Sequence, residues 1–457
     1  MSASFAPPGV GGLLRLAWPI VVSRSCQTVI GFTDAAMVAR LGEDALAAGT
    51  TGALNSFNFF ILPIGTVQIV NSFAAQFFGR GEPAGARRYA WYGLLFAGIV
   101  QVLCVASAPF VGSLLALFDF APAVREPMAR YMEARLFAAG AAAGLEGLGA
   151  YYGGLGNTRL PMLANFAAMV LNVAFNWVLI YGHLGFPALG VRGAAYASVA
   201  ATALAFAGLL GLFLAGVGAP RAGSRVRLEG SEFFRMLRFG LPNGVNWFME
   251  FSAFTFFVNY VVAGHGTTAL AAMMASLNLF SISFMPALGV ATAGSIFVGQ
   301  AIGAGDRDAV PTIVRRTFAV NALWQGLVGI LYAAIPSTLL SVFRDPRVET
   351  SRLLEVGAPM LAAGAAWQVF DAAGITLSEA LRAAGDTTYC LWARLVLAWI
   401  FFVPLSILWA RRLGGGPVES VVCIVIYLAA LAAAFFWRFR GGAWRKIDLT
   451  GSATLLA

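Results

Sequence analysis

Three acidic residues lie deep inside long apolar stretches of the sequence: Asp34, Glu250 and Asp371. A charged side chain at the centre of a bilayer costs roughly 2.5–3.5 kcal/mol on insertion scales, so each of these acids needs a partner or a function. A carboxylate that is removed from water can be neutralised by a proton, by a metal cation or by an organic cation. The three acids therefore predict sites for positively charged species.

The neighbours of Asp34 along its helix and on two later helices are also polar. Gln27 lies seven residues before Asp34 and shares its helical face. Asn172 and Asn176 are four residues apart and therefore point the same way, and Ser198 follows in the next apolar stretch. Carboxylate, amide and hydroxyl oxygens are the ligands that hard cations prefer. The alternative is that the two asparagines only hold helices together through hydrogen bonds.

Glu250 has amide side chains on its own helical face. Asn246 and Asn243 precede it by four and seven residues, which places all three on one side of a helix. We expect this face to point into the helix bundle, because amides and carboxylates are costly against lipid.

Aromatic and amide residues accompany Asp371 and Glu250. Trp367 and Gln368 precede Asp371 by four and three residues, and Trp247 precedes Glu250 by three. An aromatic face that borders such a cavity can hold an organic cation at about 0.5–2 kcal/mol. Plain packing is the alternative for any single aromatic residue. We interpret Gln27, Asn246, Trp247, Trp367 and Gln368 as candidates for lining a substrate cavity.

The composition identifies the class of protein that holds these residues. Of 457 residues, 59% are hydrophobic and only 11% are charged, against about 25% charged in soluble proteins. The only lysine is Lys446, so no nucleotide-binding P-loop lysine is available. The two histidines form no zinc-protease motif, and the four cysteines form no CxxC pair. The chain is thus predicted to be an integral membrane protein of the helical kind, with no ATPase of its own.

Apolar stretches of the required length occur twelve times. The predicted spans are 13–39, 47–77, 89–114, 127–154, 161–182, 193–217, 236–263, 269–301, 315–340, 350–381, 388–410 and 417–438.

The distribution of basic residues indicates how the helices are oriented. With the N-terminus in the cytoplasm, 19 arginines and lysines fall on the cytoplasmic side, including Arg382 and Arg394, and 9 on the other side. Arg24 and Arg135 fall within spans. This bias follows the positive-inside rule and explains the net charge of +9 better than nucleic-acid binding does. Both termini are therefore expected in the cytoplasm.

The two halves of the sequence are similar to each other, with an offset of 223 to 229 residues. The matching features are Pro19 and Pro242, the segments 76–82 (QFFGRGE) and 300–306 (QAIGAGD), and Gly156-Asn157-Thr158 and Gly385-Asp386-Thr387. The intramembrane acids do not recur between the halves, so each half carries its own charged site. Six helices per half make this a parallel repeat, and transporters built in this way bind substrate between their halves.

We therefore predict an all-α integral membrane protein with twelve transmembrane helices. Its two six-helix halves are expected to be related by a pseudo-two-fold axis along the membrane normal. The predicted organisation is an N-terminal lobe at 1–217, a basic cytoplasmic linker at 218–238, and a C-terminal lobe with a short tail at 239–457.

Several motifs together resemble those of the multidrug and toxic compound extrusion (MATE) family over nearly the whole chain. They are DAAMVARLG at 34–42, the two segments QFFGRGE and QAIGAGD, LGVRGAA at 189–195, QVFD at 368–371 and LRAAGDT at 381–387. The resemblance is greatest to the NorM-like branch, which has one acid in helix seven and one in helix ten.

This resemblance implies a twelve-helix antiporter that exports cationic, amphipathic compounds in exchange for Na⁺ or H⁺. It implies that Glu250 and Asp371 form the coupling site of the C-lobe. It also implies that Asp34, with the amides Asn172 and Asn176 and the hydroxyl of Ser198, forms the coupling site of the N-lobe. Asn176 departs from relatives that have aspartate there. Trp367 departs from an expected tyrosine, which removes one oxygen from the C-lobe site.

Two other functions were weighed. A lipid-linked oligosaccharide flippase of the same superfamily would need a cavity rich in arginine, and the arginines within spans are few. A membrane enzyme or receptor is disfavoured because no nucleophile, metal or nucleotide motif is present.

We expect no cofactor beyond Na⁺ or H⁺, and organic cations and the lipid bilayer as partners. We expect no nucleic acid and no ATPase subunit, and a monomer in a bacterial inner (plasma) membrane.

Overall fold

The computed structural model describes residues 7–116, 122–220, 227–343 and 350–451. Within these ranges the chain forms helices and loops, and no β-strand. Twelve long helical segments, named α1 to α12, follow one another. They are α1 Val10–Ala39, α2 Glu43–Gly79, α3 Pro83–Leu115, α4 Pro122–Leu136 with Ala139–Gly154, α5 Arg159–Tyr181, α6 Val191–Leu214, α7 Gly230–Phe256 with Phe257–Val262, α8 Thr267–Gly303, α9 Val310–Ala334, α10 Thr350–Ala363 with Ala365–Ala383, α11 Thr387–Leu395 with Val396–Phe402 and Val403–Arg412, and α12 Pro417–Arg440.

Each predicted span falls on one of these twelve segments, so the all-helical membrane fold is confirmed. Eight segments are by themselves long and apolar enough to cross a membrane, and α10 is a ninth when its two parts, bent by 40°, are taken together. Of the remaining three, α4 is divided into parts of 15 and 16 residues, each too short to span a membrane alone, whereas α1 and α7 carry charged residues such as Arg24 and Glu250. The charges of α1 and α7 lower the mean apolar character of these two segments.

The segment α9 shows how the helices are sorted between lipid and bundle. Leu323, Leu327 and Ile330 recur at helical spacing and are 66%, 55% and 65% exposed. The amides of Asn321 and Gln325 are fully buried instead. Polar residues thus face inward and large apolar residues face outward, the arrangement expected of a helix in a bilayer.

Two segments contain a π-helical turn, Phe257–Val262 in α7 and Val396–Phe402 in α11. In α11 the turn is followed by Pro404, which has no N–H to donate and therefore interrupts the regular hydrogen bonds of an α-helix. Such turns are rare and often lie near functional sites. Here they begin seven residues after Glu250 and two residues after Arg394.

The loop glycines that the repeat pairs with each other adopt the same backbone conformation. Gly81 and Gly305, which end α2 and α8, have φ of 76° and 84°, and Gly156 and Gly385 have φ of 81° and 89°. Only glycine adopts this left-handed region without steric cost. The sequence repeat is therefore also a repeat of turn geometry.

The described chain divides into two compact units. The N-terminal unit comprises Val22–Gly244, and the C-terminal unit comprises the residues up to Val21 together with those from Val245 onward. These limits differ from the lobe boundaries given by the sequence. Pro19 and Pro242, the prolines that correspond in the repeat, each lie two residues before the point where the chain passes from one unit to the other.

The first part of α1 belongs to the C-terminal unit, and the first part of α7 belongs to the N-terminal unit. Specific packing holds each of these parts in its unit. In the C-terminal unit, Leu13 and Ala17 are buried against Ala293 of α8. In the N-terminal unit, a Cβ on Gly244 would lie 2.4 Å from the backbone oxygen of Leu62, so only glycine permits this approach of α7 to α2.

The structure adds detail to one feature of the basic residues and leaves part of another undescribed. Arg394, counted among the cytoplasmic arginines, lies inside α11 with a side chain only 11% exposed. Of the predicted basic linker 218–238, residues 221–226 lie outside the described residues. Its last part, from Gly230, is the start of α7.

Candidate cation-binding sites

Four polar side chains of the N-terminal unit form a closed ring of hydrogen bonds. The carboxylate of Asp34 accepts one bond from the amide of Asn176 and one, at 3.0 Å, from the hydroxyl of Ser198. Asn172 donates to Ser198 Oγ at 3.0 Å, and its own oxygen accepts from Asn176 Nδ2 at 3.1 Å. Both asparagines and Ser198 are at most 3% exposed. The structure thus brings together all four residues proposed for the N-lobe.

The close approach of α5 and α6 positions three of these side chains. A Cβ on Gly193, in the first turn of α6, would lie 2.3 Å from the backbone oxygen of Leu179 on α5. Glycine at this position therefore lets the two helices touch backbone to backbone. As a result, Ser198 on α6 reaches Asn172 on α5 directly.

Two residues of α4 complete the surroundings of Asp34 and were not identified from the sequence. Arg135 lies close enough to interact electrostatically with the carboxylate, and its guanidinium lies 5.6 Å from the ring of Phe60. Tyr131, 3% exposed, also interacts with Asp34 and Arg135. The sequence did contain a signal for Arg135, because it is a charged residue within a predicted apolar span.

One oxygen of the ring is left available. Asn176 Oδ1 is buried and has no hydrogen-bond partner among the described residues. It sits on the side chain whose nitrogen contacts Asp34, so a carboxylate oxygen and an amide oxygen occur together. A proton on Asp34 could be donated to the Ser198 hydroxyl, whereas a metal cation would use these oxygens. The ring fits either ion.

The C-terminal unit holds its acids differently. Glu250 on α7 forms an ion pair with Arg394 on α11. Asp371 on α10 accepts a hydrogen bond from the amide of Gln325 at 3.0 Å and interacts electrostatically with both Glu250 and Arg394. One acid is therefore paired with a cation, while its neighbour is bonded to a neutral amide.

Sequence reasoning missed both partners. Arg394 was counted only as a cytoplasmic-side arginine, and Gln325 was not considered because α9 carries no acid. Both are polar side chains inside apolar stretches, and this is the same signal that identified the acids.

Several polar atoms near this group have no partner within the described ranges. They are Arg394 Nε, the hydroxyl of Tyr427 and Asn246 Oδ1, all buried. Tyr427 interacts electrostatically with Glu250 and Arg394, so its hydroxyl lies near the same ion pair, and Asn246 precedes Glu250 by one helical turn. Buried polar groups are usually satisfied, and unsatisfied ones indicate a site that accepts water or a ligand.

The other amide residues predicted near Glu250 and Asp371 differ in their hydrogen-bond partners. Asn243 belongs to the N-terminal unit and donates to the backbone oxygen of Gly65 at 2.6 Å, so it takes no part in the Glu250 group. Gln368 is 2% exposed and accepts a bond from Ser283 at 2.6 Å. That bond ties α10 to α8 and not to Asp371.

The remaining cavity candidates differ in exposure. Gln27 is exposed and donates to Asn165 at 3.4 Å. Trp247 is half-buried, as is Trp367, whose ring centroid lies 4.7 Å from that of Phe280. Their roles in binding stay predictions.

The N-terminal unit contains a further charged pair that was not predicted from the sequence. Arg24 on α1 and Glu146 on α4 form an ion pair at 2.7 Å, with side chains 20% and 16% exposed. Gln68 donates to the same carboxylate at 3.0 Å. This pair neutralises the arginine that a diphosphate-binding cavity would need to keep free.

Comparisons with known proteins agree with this architecture. The family model described as MatE matches residues 19–178 and 247–408, once in each half of the chain. A protein of Rhizobium meliloti, "Probable multidrug resistance protein NorM", is 30% identical over 93% of this chain and 92% of its own length. Its namesake in Mesorhizobium japonicum is 28% identical with the same coverage.

Solved structures with the same fold exist. One, described as an outward-facing multidrug resistance MATE family transporter of the MOP superfamily, superposes with a TM-score of 0.86 at 20% identity, covering 96% of this chain and 97% of that chain. Another MOP superfamily transporter, from Pyrococcus furiosus, superposes with a TM-score of 0.85, also at 20% identity and with the same coverage.

Proposed function

Because the chain belongs to the MatE family, we propose that it is a secondary active multidrug exporter. It exchanges cationic, amphipathic compounds for H⁺ or Na⁺ by alternating access. It is a multi-pass membrane protein, and the proposed location is a bacterial inner membrane with both termini in the cytoplasm. The proposal includes no enzymatic activity and no cofactor besides the coupling ion.

The observation that supports coupling is the state of two intramembrane acids. Asp34 and Asp371 are hydrogen-bonded by amides and a hydroxyl, which are neutral and supply no opposite charge in direct contact. An ionised carboxylate in such surroundings gains free energy when a cation arrives. Each acid can therefore alternate between a coupling ion and a cationic substrate, and this competition is what antiport requires.

The aromatic residues support an organic cation as the substrate. Trp247 lies three residues before Glu250, and Trp367 lies four before Asp371, so both are near the acids along their helices. Each could contribute about 0.5–2 kcal/mol by a cation–π contact, with little dependence on the exact shape of the cation. This supports a broad range of amphipathic cations and not a single compound.

The alternative, a flippase for lipid-linked oligosaccharides, is less well supported. Its diphosphate would need unpaired arginines inside the membrane. Arg24 is paired with Glu146, Arg394 is paired with Glu250, and Arg135 interacts electrostatically with Asp34. The described intramembrane groups therefore favour a positively charged substrate.

Ethidium export from reconstituted vesicles, with the H⁺ and Na⁺ gradients imposed separately, tests the proposal. Asp34→Asn, Asp371→Asn and Glu250→Gln should each lower export at least tenfold while the protein still inserts. Glu126→Gln is the matched control, because Glu126 is an exposed acid of α4 paired only with Arg130. Normal export by Glu250→Gln/Asp371→Asn would rule out coupling through the two acids of the C-terminal unit, and normal export by Asp34→Asn would rule out coupling through the N-terminal ring.

A further inference from the structure

We propose that Arg394 is a resident counter-cation of the C-terminal site, which sets the site's net charge and thereby selects monovalent cations. This inference rests on the proposed export function and adds a residue that determines its specificity. It predicts that one monovalent cation, which is H⁺, Na⁺ or an organic monocation, neutralises the site.

The position of Arg394 carries the first step of the argument. Its side chain is 11% exposed, it lies in the helical segment α11, and it forms an ion pair with Glu250, whose side chain is 40% exposed. Its guanidinium also lies 5.8 Å from the ring of Phe435. An arginine held in this way stays charged, because a guanidinium is not deprotonated in proteins.

The second step counts charges. Glu250, Asp371 and Arg394 interact electrostatically with one another, and two carboxylates with one guanidinium give a net charge of −1. The ion pair leaves Asp371 as the acid without an opposite charge of its own. Without Arg394 the same group would carry −2, which favours a divalent cation or two monovalent ones.

The third step concerns the freedom of the pair to rearrange. Arg394 Nε and the hydroxyl of Tyr427 are buried without a hydrogen-bond partner in the described chain, so the guanidinium is only partly satisfied by Glu250. A cationic substrate at the partly exposed Glu250 repels the guanidinium. The guanidinium of Arg394 can then interact with Asp371 instead, and the proton on the Asp371 carboxyl group is released.

Variants that change the net charge of the C-terminal site test this proposal in the purified full-length protein. Glu250→Gln leaves Arg394 to neutralise Asp371, giving a net charge of zero, and should weaken tetraphenylphosphonium binding more than about tenfold. Glu250→Gln/Arg394→Gln returns the net charge to −1 and should bind within about threefold of wild type. Glu126→Gln/Arg130→Gln, an exposed pair on α4, is the matched control and should bind like wild type.

Two further readouts distinguish charge from packing. In weakly buffered, sodium-free detergent solution, wild type and the rescued double variant should each release about one proton per tetraphenylphosphonium bound. Arg394→Gln alone should favour the dication dequalinium over tetraphenylphosphonium by about tenfold more than wild type does, whereas Arg394→Lys should keep the wild-type preference.

The outcomes are separable. If Glu250→Gln/Arg394→Gln is folded yet binds as weakly as Glu250→Gln, or if Arg394→Gln keeps the wild-type selectivity, Arg394 has only a packing role and the inference is overturned. If wild type binds no organic cation at all, the proposed export function fails, and this inference fails with it.

Discussion

Replacing Asn176 by aspartate would place a second carboxyl group against Asp34, at a position that has no solvent exposure. Asn176 is 0% exposed, and its side-chain nitrogen contacts the Asp34 carboxylate directly. Two unit charges about 4 Å apart repel by roughly 4 kcal/mol at an effective dielectric of 20. That energy favours a singly neutralised pair over a doubly ionised one by about a thousandfold. The variant should therefore require a cation between its carboxyl groups.

The expected result is a thermal stability that depends on Na⁺ and on pH. In sodium-free buffer at pH 8, Asn176→Asp should unfold several degrees below wild type, because two charges must be buried. Na⁺ should restore the transition, since a ligand at about 100 times its dissociation constant stabilises by about 2.7 kcal/mol. Lowering the pH should act in the same direction, because a proton on one carboxyl group removes the repulsion.

The assay can use the protein's own thiols. Cys26, Cys104, Cys390 and Cys423 are buried, so a thiol-reactive dye reports their exposure on unfolding. Asp34→Asn/Asn176→Asp is the charge-matched control, since it keeps a single carboxylate and should lose the Na⁺ requirement. An Asn176→Asp protein as stable as wild type without Na⁺ at pH 8 would refute the reasoning, because the two groups would not then share one buried site.

Three further predictions concern packing and can be measured by thermal unfolding. Gly154→Ala should destabilise by about 1–3 kcal/mol, because its Cβ would lie 2.7 Å from atoms of α2; Gly98→Ala, with no atom within 4 Å, should be neutral or slightly stabilising. Ser198→Ala should cost about 1–3 kcal/mol, since it removes a donor and an acceptor from the Asp34 ring, and an unchanged transition would show that the ring is not formed. Trp444→Ala, at a residue 2% exposed, should cost about 3–5 kcal/mol, whereas Trp437→Ala, at 66% exposed, should cost far less.

The helices could be predicted because their signal is local. A helix that crosses a bilayer needs about 20 mostly apolar residues, and each of the twelve predicted stretches falls on a helical segment. The N-terminal ring was predictable for a similar reason, since Asn172 and Asn176 are one turn apart and must share a face. The motifs then indicated which helix would supply Asp34.

What the sequence could not provide was the rotation of each helix about its own axis and the division into units. Gln325 and Arg394 lie on helices without an acid, so their partners depend on packing between distant segments. Asn243 shares a helical face with Glu250, yet the boundary between the compact units falls at Gly244 and separates them. Neither fact leaves a trace in residue spacing.

The central claim is that organic cations and the coupling ion exchange through the same intramembrane carboxylates. Reversed flux tests it most directly, because thermodynamic coupling is reciprocal. Vesicles loaded with tetraphenylphosphonium, and with no ion gradient imposed, should take up H⁺ or ²²Na⁺ as the cation leaves. Ion uptake should be absent in Asp34→Asn/Asp371→Asn. Rapid loss of tetraphenylphosphonium through the wild-type protein without movement of either ion would contradict the account.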